Sequence, residues 1–415
     1  MGKDNGGMDS ITREVREMND NKRLKILNMC NIYMLLWVLY SFHWYEVTSS
    51  PILDALSNVF LGVNLTLSLY YCVYCFAHYK LPRVYYVIIV LLLLFVVYGT
   101  VSVLIGEDIY IKATGERIRN GSFMIGPMRS FLPFFAFYVF CSRGLLTRNT
   151  LLFWGFISLI QFIFIFVNSD LQYKVGEFVN NNAYHFTVLL PMLFFIRRTK
   201  IMQVVLLLFL LVMVFLGMKR GAMLVAVFFV MYYLYINLEN AAIGRKSLIL
   251  IVAAIVMGFG FNYISEFYET STILQRRLEM TLEGNSSSRN ELYRQAWNIW
   301  SQADFLNLIF GFGASASLKM LNNYVHNDWL EILIDMGLMG AFVYLAFWLR
   351  LISTWFNSRK DTLIYAVLGG CIVVLLPRSI FGMMYSNLQT IAVMMMVYCV
   401  WEFQNKEFPV LKSNS

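Results

Sequence analysis

The residues of this 415-residue chain best suited to chemistry are one histidine and a set of cations standing where an apolar protein has little ordinary use for them. His326 lies in Asn322-Asn323-Tyr324-Val325-His326-Asn327-Asp328, just ahead of a long apolar segment. An imidazole titrates near neutrality and is a natural proton acceptor for a hydroxyl. A lone histidine is more often structural, so its neighbours must give it weight. Asp328, Glu331 and Asp335 follow at helical spacing as an acidic stripe. A carboxylate inside an apolar helix costs about 3 kcal/mol on insertion scales, so these are expected to face the protein interior and an arginine partner. Gly337 and Gly340 permit close helix packing there.

The cations make the second half of the constellation. Lys219 and Arg220 fall in Gly217-Met218-Lys219-Arg220-Gly221, a turn so short that both must stay near a membrane surface. Arg129, at the mouth of one apolar segment, and Arg378, after Pro377, are held at a similar depth. Ser288-Arg289-Asn290-Glu291 has capping-box spacing, so Ser288 is expected to cap a helix running to about Gln302. An arginine fork beside first-turn amides suits phosphate, with Glu291 partly offsetting that field. Along that helix Leu292, Ala296 and Ile299 form one face, and Tyr293, Trp297 and Trp300 another, a pattern fitting a helix at an interface. Arg294 shares its polar surroundings. Any one of these cations can be read as snorkelling to lipid phosphate, but as a cluster they point to an anionic ligand.

The elements that must position these residues are membrane helices. Hydrophobic residues make up 59% of the chain and charged ones 14%, against about 25% charged in a soluble domain. Runs such as Val84 to Ile105 and Ile201 to Met218 carry no charge over roughly the span of a hydrocarbon core. Breaks in hydropathy predict an all-α, polytopic protein with about twelve spans: 24–42, 56–77, 84–105, 127–141, 151–168, 183–196, 201–218, 221–238, 247–265, 329–349, 362–377 and 380–402. The fourth and sixth are short. A polar tail, 1–23, precedes them without the pattern of a removable signal peptide, and a large outer loop, 266–328, separates the ninth and tenth. With both termini inside, twenty of the 33 Lys and Arg fall on the cytoplasmic side, as the positive-inside rule requires. Arg129, Lys219, Arg220, Arg289, Arg294 and Arg378 stand against that trend on the outer face.

The absence of internal repeats favours one domain over 1–415. A net charge of +8 is explained by topology and anionic lipid rather than by nucleic acid. No metal-ligand spacing or Walker-type loop is present, Gly311-Phe312-Gly313 is a weak glycine signal, and Asn285-Ser286-Ser287 is only a formal sequon. The six cysteines lie in or beside apolar runs, which argues against a disulfide framework; Cys72 and Cys75 read as small packing residues.

Taken in order, these landmarks resemble the bacterial O-antigen ligase and O-antigen polymerase superfamily of membrane glycosyltransferases. The resemblance rests on Lys219-Arg220-Gly221 opening a span, Ser288-Arg289 followed by Trp297 and Trp300, Ile309-Phe310-Gly311-Phe312-Gly313, and His326-Asn327 with Leu330-Glu331 and Gly337-Leu338-Met339-Gly340. It covers about 200 to 345 by motif. It implies a GT-C-type transferase of the bacterial inner membrane, acting at the periplasmic face on a glycan carried by undecaprenyl diphosphate, without metal, nucleotide sugar or other cofactor. The implied roles are His326, Arg289 and Arg220 in catalysis, and Lys219, Arg294, Arg129, Arg378, Asn327, Glu331 and Asp335 in substrate binding. Implied partners are the lipid-linked donor, a glycan or lipopolysaccharide acceptor, membrane lipid and a chain-length regulator. Polymerisation of lipid-linked repeats is the leading expectation, ligation to a lipopolysaccharide core the alternative. A transporter of lipid-linked sugars is a third reading, disfavoured because the polar residues collect at one face.

Overall fold

The computed structural model describes residues 28–44, 51–105, 109–110, 117–118, 122–168, 172–174, 177–196, 200–239 and 289–407. The expected tail 1–23, the ninth span 247–265, and positions 266–288 with Ser288 and the sequon lie outside the described residues. Apolar sequence without internal breakers gives α1 (Met29–Trp44), α2 (Pro51–His78) and α3 (Arg83–Ile105). The fourth expected span is longer than its hydropathy suggests, because α4 (Ser122–Phe131), with Pro127 inside it, runs almost directly into α5 (Pro133–Ser142). Next come α6 (Arg148–Asn168) and α7 (Ala183–Leu189), which tightens into a 3-10 turn at Leu190–Phe195 around Pro191. Then follow α8 (Lys200–Leu216) and α9 (Arg220–Glu239).

Beyond residue 288 lie three short helices, α10 (Arg289–Ser301), α11 (Phe305–Phe310) and α12 (Ala316–Leu321). The long α13 (Asp328–Asn357) follows, then α14 (Thr362–Phe381) and α15 (Thr390–Glu407). Two small antiparallel hairpins interrupt the helices among the described residues: β1 (Ile109–Tyr110) with β2 (Arg117–Ile118), and β3 (Gln172–Lys174) with β4 (Glu177–Val179). Among the described residues, seven helices are long and apolar enough to cross a membrane, and three shorter apolar helices accompany them. The chain is a multi-pass membrane protein, and α3 and α8 display Leu and Val outward, as lipid contact demands.

The tenth expected span ends later than its hydropathy suggests, α13 continuing past 349 to Asn357, and the boundaries around Pro377 shift as well. The eleventh span does not stop at Pro377: proline removes one amide late in α14, and the helix continues to Phe381 before breaking at Gly382. The final helix accordingly begins at Thr390 rather than near 380. The core is aromatic. Phe134, Phe135, Phe137 and Phe140 of α5 are buried, and Tyr33 of α1 meets Phe137 and Phe140 edge-on at 5.5 and 5.6 Å. All six cysteines are free and buried.

Gly337 explains how the short helices α10 to α12 are attached to α13. It interrupts α13 with φ 63°, and a Cβ there would lie 2.4 Å from the Ile309 carbonyl oxygen. Gly311, at φ 75°, would place its Cβ 2.5 Å from the Asp335 backbone. Only glycine accepts both the left-handed backbone and this approach. Phe312 and Gly313 then donate their amides to the carbonyls of Ile334 (2.8 Å) and Asp335 (3.0 Å), fastening the end of α11 into the kink.

Candidate functional site at one end of the bundle

The start of α13 is an anchoring post. Asn327 caps it, its side chain accepting the amides of Trp329 (3.0 Å) and Leu330 (3.1 Å). Asp328 is fully buried and accepts from the amides of Met384 (2.9 Å) and Tyr385 (3.0 Å) and the Tyr344 hydroxyl (2.6 Å). One turn on, Glu331 accepts from the Val325 amide (2.8 Å) and the Ser317 hydroxyl. Asp335 accepts from the amides of Ala316 (2.8 Å) and Ser317 (3.4 Å). The stripe faces inward, as its spacing predicts, but these hydrogen bonds go to backbone amides and hydroxyls rather than to an arginine. The first-turn amides of α12 and the non-helical amides of Val325, Met384 and Tyr385 need acceptors, and the three carboxylates supply them.

His326 is held in the middle of this clamp. Its neighbour Val325 is tied to Glu331, its other neighbour Asn327 caps α13, and His326 itself takes the left-handed conformation at φ 56°. Histidine tolerates that region better than most residues, and a non-glycine there still costs about 1–3 kcal/mol. The His326 side chain is half-buried, and its carbonyl accepts the Tyr293 hydroxyl at 3.4 Å.

Tyr293 and Arg289 share one face of α10 with Ala296 and Trp300, the face packed toward α13. This differs from the expected division into Leu292, Ala296 and Ile299 against Tyr293, Trp297 and Trp300: Trp297 is 51% exposed. Small Ala296 sets the approach, so the stripe centred on it is buried. The Tyr293 hydroxyl also reaches the Ile380 carbonyl at 3.3 Å, and Arg289 donates to the Phe381 carbonyl at 3.1 Å. Burial pushes the Tyr293 phenol up from its ordinary value, while the Arg289 charge opposes the rise.

The last turn of α14 is therefore where the site assembles. Ser379 accepts the Trp329 indole at 3.1 Å, Ile380 and Phe381 receive Tyr293 and Arg289, and Arg378 projects from the same turn. Arg378 is buried, with its Cζ 5.2 Å from the Tyr184 ring centroid, and it donates to Gln389 Oε1 (2.6 Å) and the Asn387 carbonyl (3.3 Å). The turn holding Lys219 and Arg220 docks nearby: the Gly217 carbonyl accepts the Asn180 amide at 2.9 Å, and Gly221 lies against Tyr184 and Phe381. Lys219 and Arg220 are half-buried.

Two predicted residues stand apart. Arg294 lies on the outer face of α10, its side chain 70% exposed and paired with Glu291 at 2.8 Å. Arg129 is buried beside a different feature, donating to the Tyr40 hydroxyl (2.8 Å), the Ser386 carbonyl (2.6 Å) and Asn387 Oδ1 (2.9 Å). It lines a cavity of about 50 Å³ with Trp37, Tyr40, Ser158, Gln161 and Asn387. Asn387 serves both Arg129 and Arg378, so the 382–389 connection links the two regions. Among the described residues no three of His, Cys, Asp and Glu form a group that could hold a metal ion.

Sequence reading missed Tyr184 altogether and placed Tyr293 on a face of its helix without giving it a part in the site. Their site contacts follow from the tertiary structure alone.

Residues 205–345 match the family model described as O-Antigen ligase. That stretch contains Lys219, Arg220, Arg289, His326 and the acidic stripe, and leaves Arg129, Tyr184 and Arg378 outside it. The match supports a glycosyltransferase-type enzyme of ligase or polymerase kind. No curated protein matches the chain.

Proposed function

We propose that this chain, which through residues 205–345 belongs to the O-antigen ligase and polymerase superfamily, polymerises undecaprenyl-diphosphate-linked oligosaccharide repeats into a surface polysaccharide at the periplasmic face of the inner membrane. One observation carries the reading: Arg289, Arg378 and the turn bearing Arg220 all reach the last turn of α14, and Tyr293 ties that same turn to the backbone of His326. A cationic cluster half out of water, tied through Tyr293 to the backbone of the loop that carries His326, suits a diphosphate leaving group beside a hydroxyl nucleophile.

In the proposed reaction His326 accepts the proton of an acceptor-sugar hydroxyl, whose oxygen attacks the anomeric carbon of the donor. The bond from that carbon to the diphosphate oxygen breaks, and the diphosphate leaves with the electron pair. Arg220 and Arg289, helped by Lys219, stabilise the charge that gathers on it. The surrounding helices preorganise these groups, so losing one costs about 3 kcal/mol of barrier, roughly a hundredfold in rate. The hydrogen bonds made by Asn327, Glu331 and Asp335 support a role in shaping the loop that holds His326, through which they affect substrate binding indirectly.

Ligation of the finished polymer to a lipopolysaccharide core is the second reading, and the description of the matched family favours it directly. The surface glycan of a deletion strain separates the two. Cores capped by a single repeat indicate a lost polymerase; bare cores with polymer retained on its lipid carrier indicate a lost ligase. Wild-type surface glycan in that strain would sink both.

A further inference from the structure

Tyr184 stands in the first turn of α7, 8% exposed, and its hydroxyl oxygen is buried without a hydrogen bond. Leaving a buried hydroxyl unsatisfied costs about 1–3 kcal/mol, and phenylalanine would fill the same space without that cost. The surroundings explain what the hydroxyl lacks. Arg378 lies over the ring, Arg289 acts on the group through its charge, and guanidinium groups offer donors but no acceptor. The hydroxyl is aimed at Gly221, in the first turn of the 20-residue helix α9, whose positive end faces it. A Cβ on Gly221 would sit 2.0 Å from the Tyr184 hydroxyl oxygen, so glycine is what lets that oxygen reach the start of α9. Every neighbour named here is a donor or a positive field, and the missing partner is an anionic acceptor.

We propose that Tyr184 donates a hydrogen bond to a non-bridging oxygen of a lipid diphosphate, completing an anion site with Arg378, Arg289 and the amino end of α9. The inference rests on the transferase reading for the identity of the ligand, and it adds a binding residue outside the stretch that matches the family. It also gives Gly221 a specific task, keeping the approach to the hydroxyl clear of a side chain.

The test uses the full-length protein in liposomes, with undecaprenyl diphosphate as the probe, undecaprenol as the control without the diphosphate, and inorganic pyrophosphate as the headgroup alone. Tyr184→Phe is expected to bind undecaprenyl diphosphate about tenfold more weakly, as loss of one charge-assisted hydrogen bond predicts, with undecaprenol unaffected. Weaker pyrophosphate binding in the same variant would place the recognition in the headgroup, whereas a loss confined to the lipid would place it in the membrane-anchored donor; either supports the assignment. Thermal stability without ligand should be unchanged or higher. In transfer assays the donor KM should rise more than kcat falls. Gly221→Ala, which displaces the hydroxyl, should weaken diphosphate binding as well. Wild-type affinity for the diphosphate in Tyr184→Phe, or a loss of ligand-free stability in that variant, overturns the proposal, the latter by giving the hydroxyl a structural role. Because binding needs no glycosyl transfer, a wild-type protein that binds the diphosphate through Tyr184 but never transfers sugar defeats only the transferase reading. A competent transferase whose Tyr184→Phe variant binds normally defeats only this one.

Discussion

Asp328→Ala removes the acceptor for three buried donors at once: the amides of Met384 and Tyr385 and the Tyr344 hydroxyl. Each unsatisfied buried donor costs about 1–3 kcal/mol, and partial relaxation brings the total to about 3–5 kcal/mol. Asp328→Asn should fall between, because its amide oxygen can keep one amide partner while its NH2 group meets another donor. The consequence extends beyond stability. The anchored connection carries Asn387, which accepts from both Arg129 and Arg378, so loosening it unsettles the cationic end of α14. Heating the detergent-solubilised variants and measuring the monodisperse fraction gives the comparison, since membrane proteins of this size unfold irreversibly. Wild-type heat resistance in Asp328→Ala, or greater damage from Asn than from Ala, would refute the clamp.

Gly337→Ala places a Cβ against the Ile309 carbonyl at a left-handed position and should cost more than about 3 kcal/mol, read as failure of the protein to accumulate in membranes. Burial pushes the Asp361 carboxyl up, but the Lys406 ammonium and the amides of Ile364 and Leu363 outweigh it and hold the carboxyl below its ordinary range. A depressed carboxylate contributes stability above the ordinary carboxylate range and loses it as pH falls through the lowered value. Wild-type protein should therefore lose more stability on acidification below about pH 4 than Asp361→Asn does, as heat-denaturation curves across pH will show. Arg294→Ala, exposed and paired only with Glu291 at the surface, should change transfer by less than about threefold in a reconstituted assay.

The multi-pass helical outline was legible because hydrocarbon imposes length and apolarity directly on sequence, while the ninth expected span, 247–265, lies outside the described residues. Helices α1 to α9 and α13 to α15 fall on the expected segments, with boundaries moved where Pro127 and Pro377 sit inside helices. The acidic stripe of Asp328, Glu331 and Asp335 was visible as a helical period, yet its partners were not. Nothing at positions 316–325 or 384–385 announces that their amides fold back onto α13, since those contacts are non-local. The same limit hid the true packed face of α10, which Ala296 sets by being small, and the place of Tyr184 under Arg378. Charge bias named Arg289 and Arg378 without any fold, and both stand at the last turn of α14. It gave equal weight to Arg294, which the fold turns outward.

The most direct test is single-turnover glycosyl transfer in proteoliposomes from an undecaprenyl-diphosphate-linked donor, comparing wild type with His326→Ala and Arg289→Ala. Both variants should remain folded, insert into membranes normally, and transfer about a hundredfold more slowly. Transfer by either variant at close to the wild-type rate would contradict the placement of the reacting sugar between the imidazole and the cations at the end of α14.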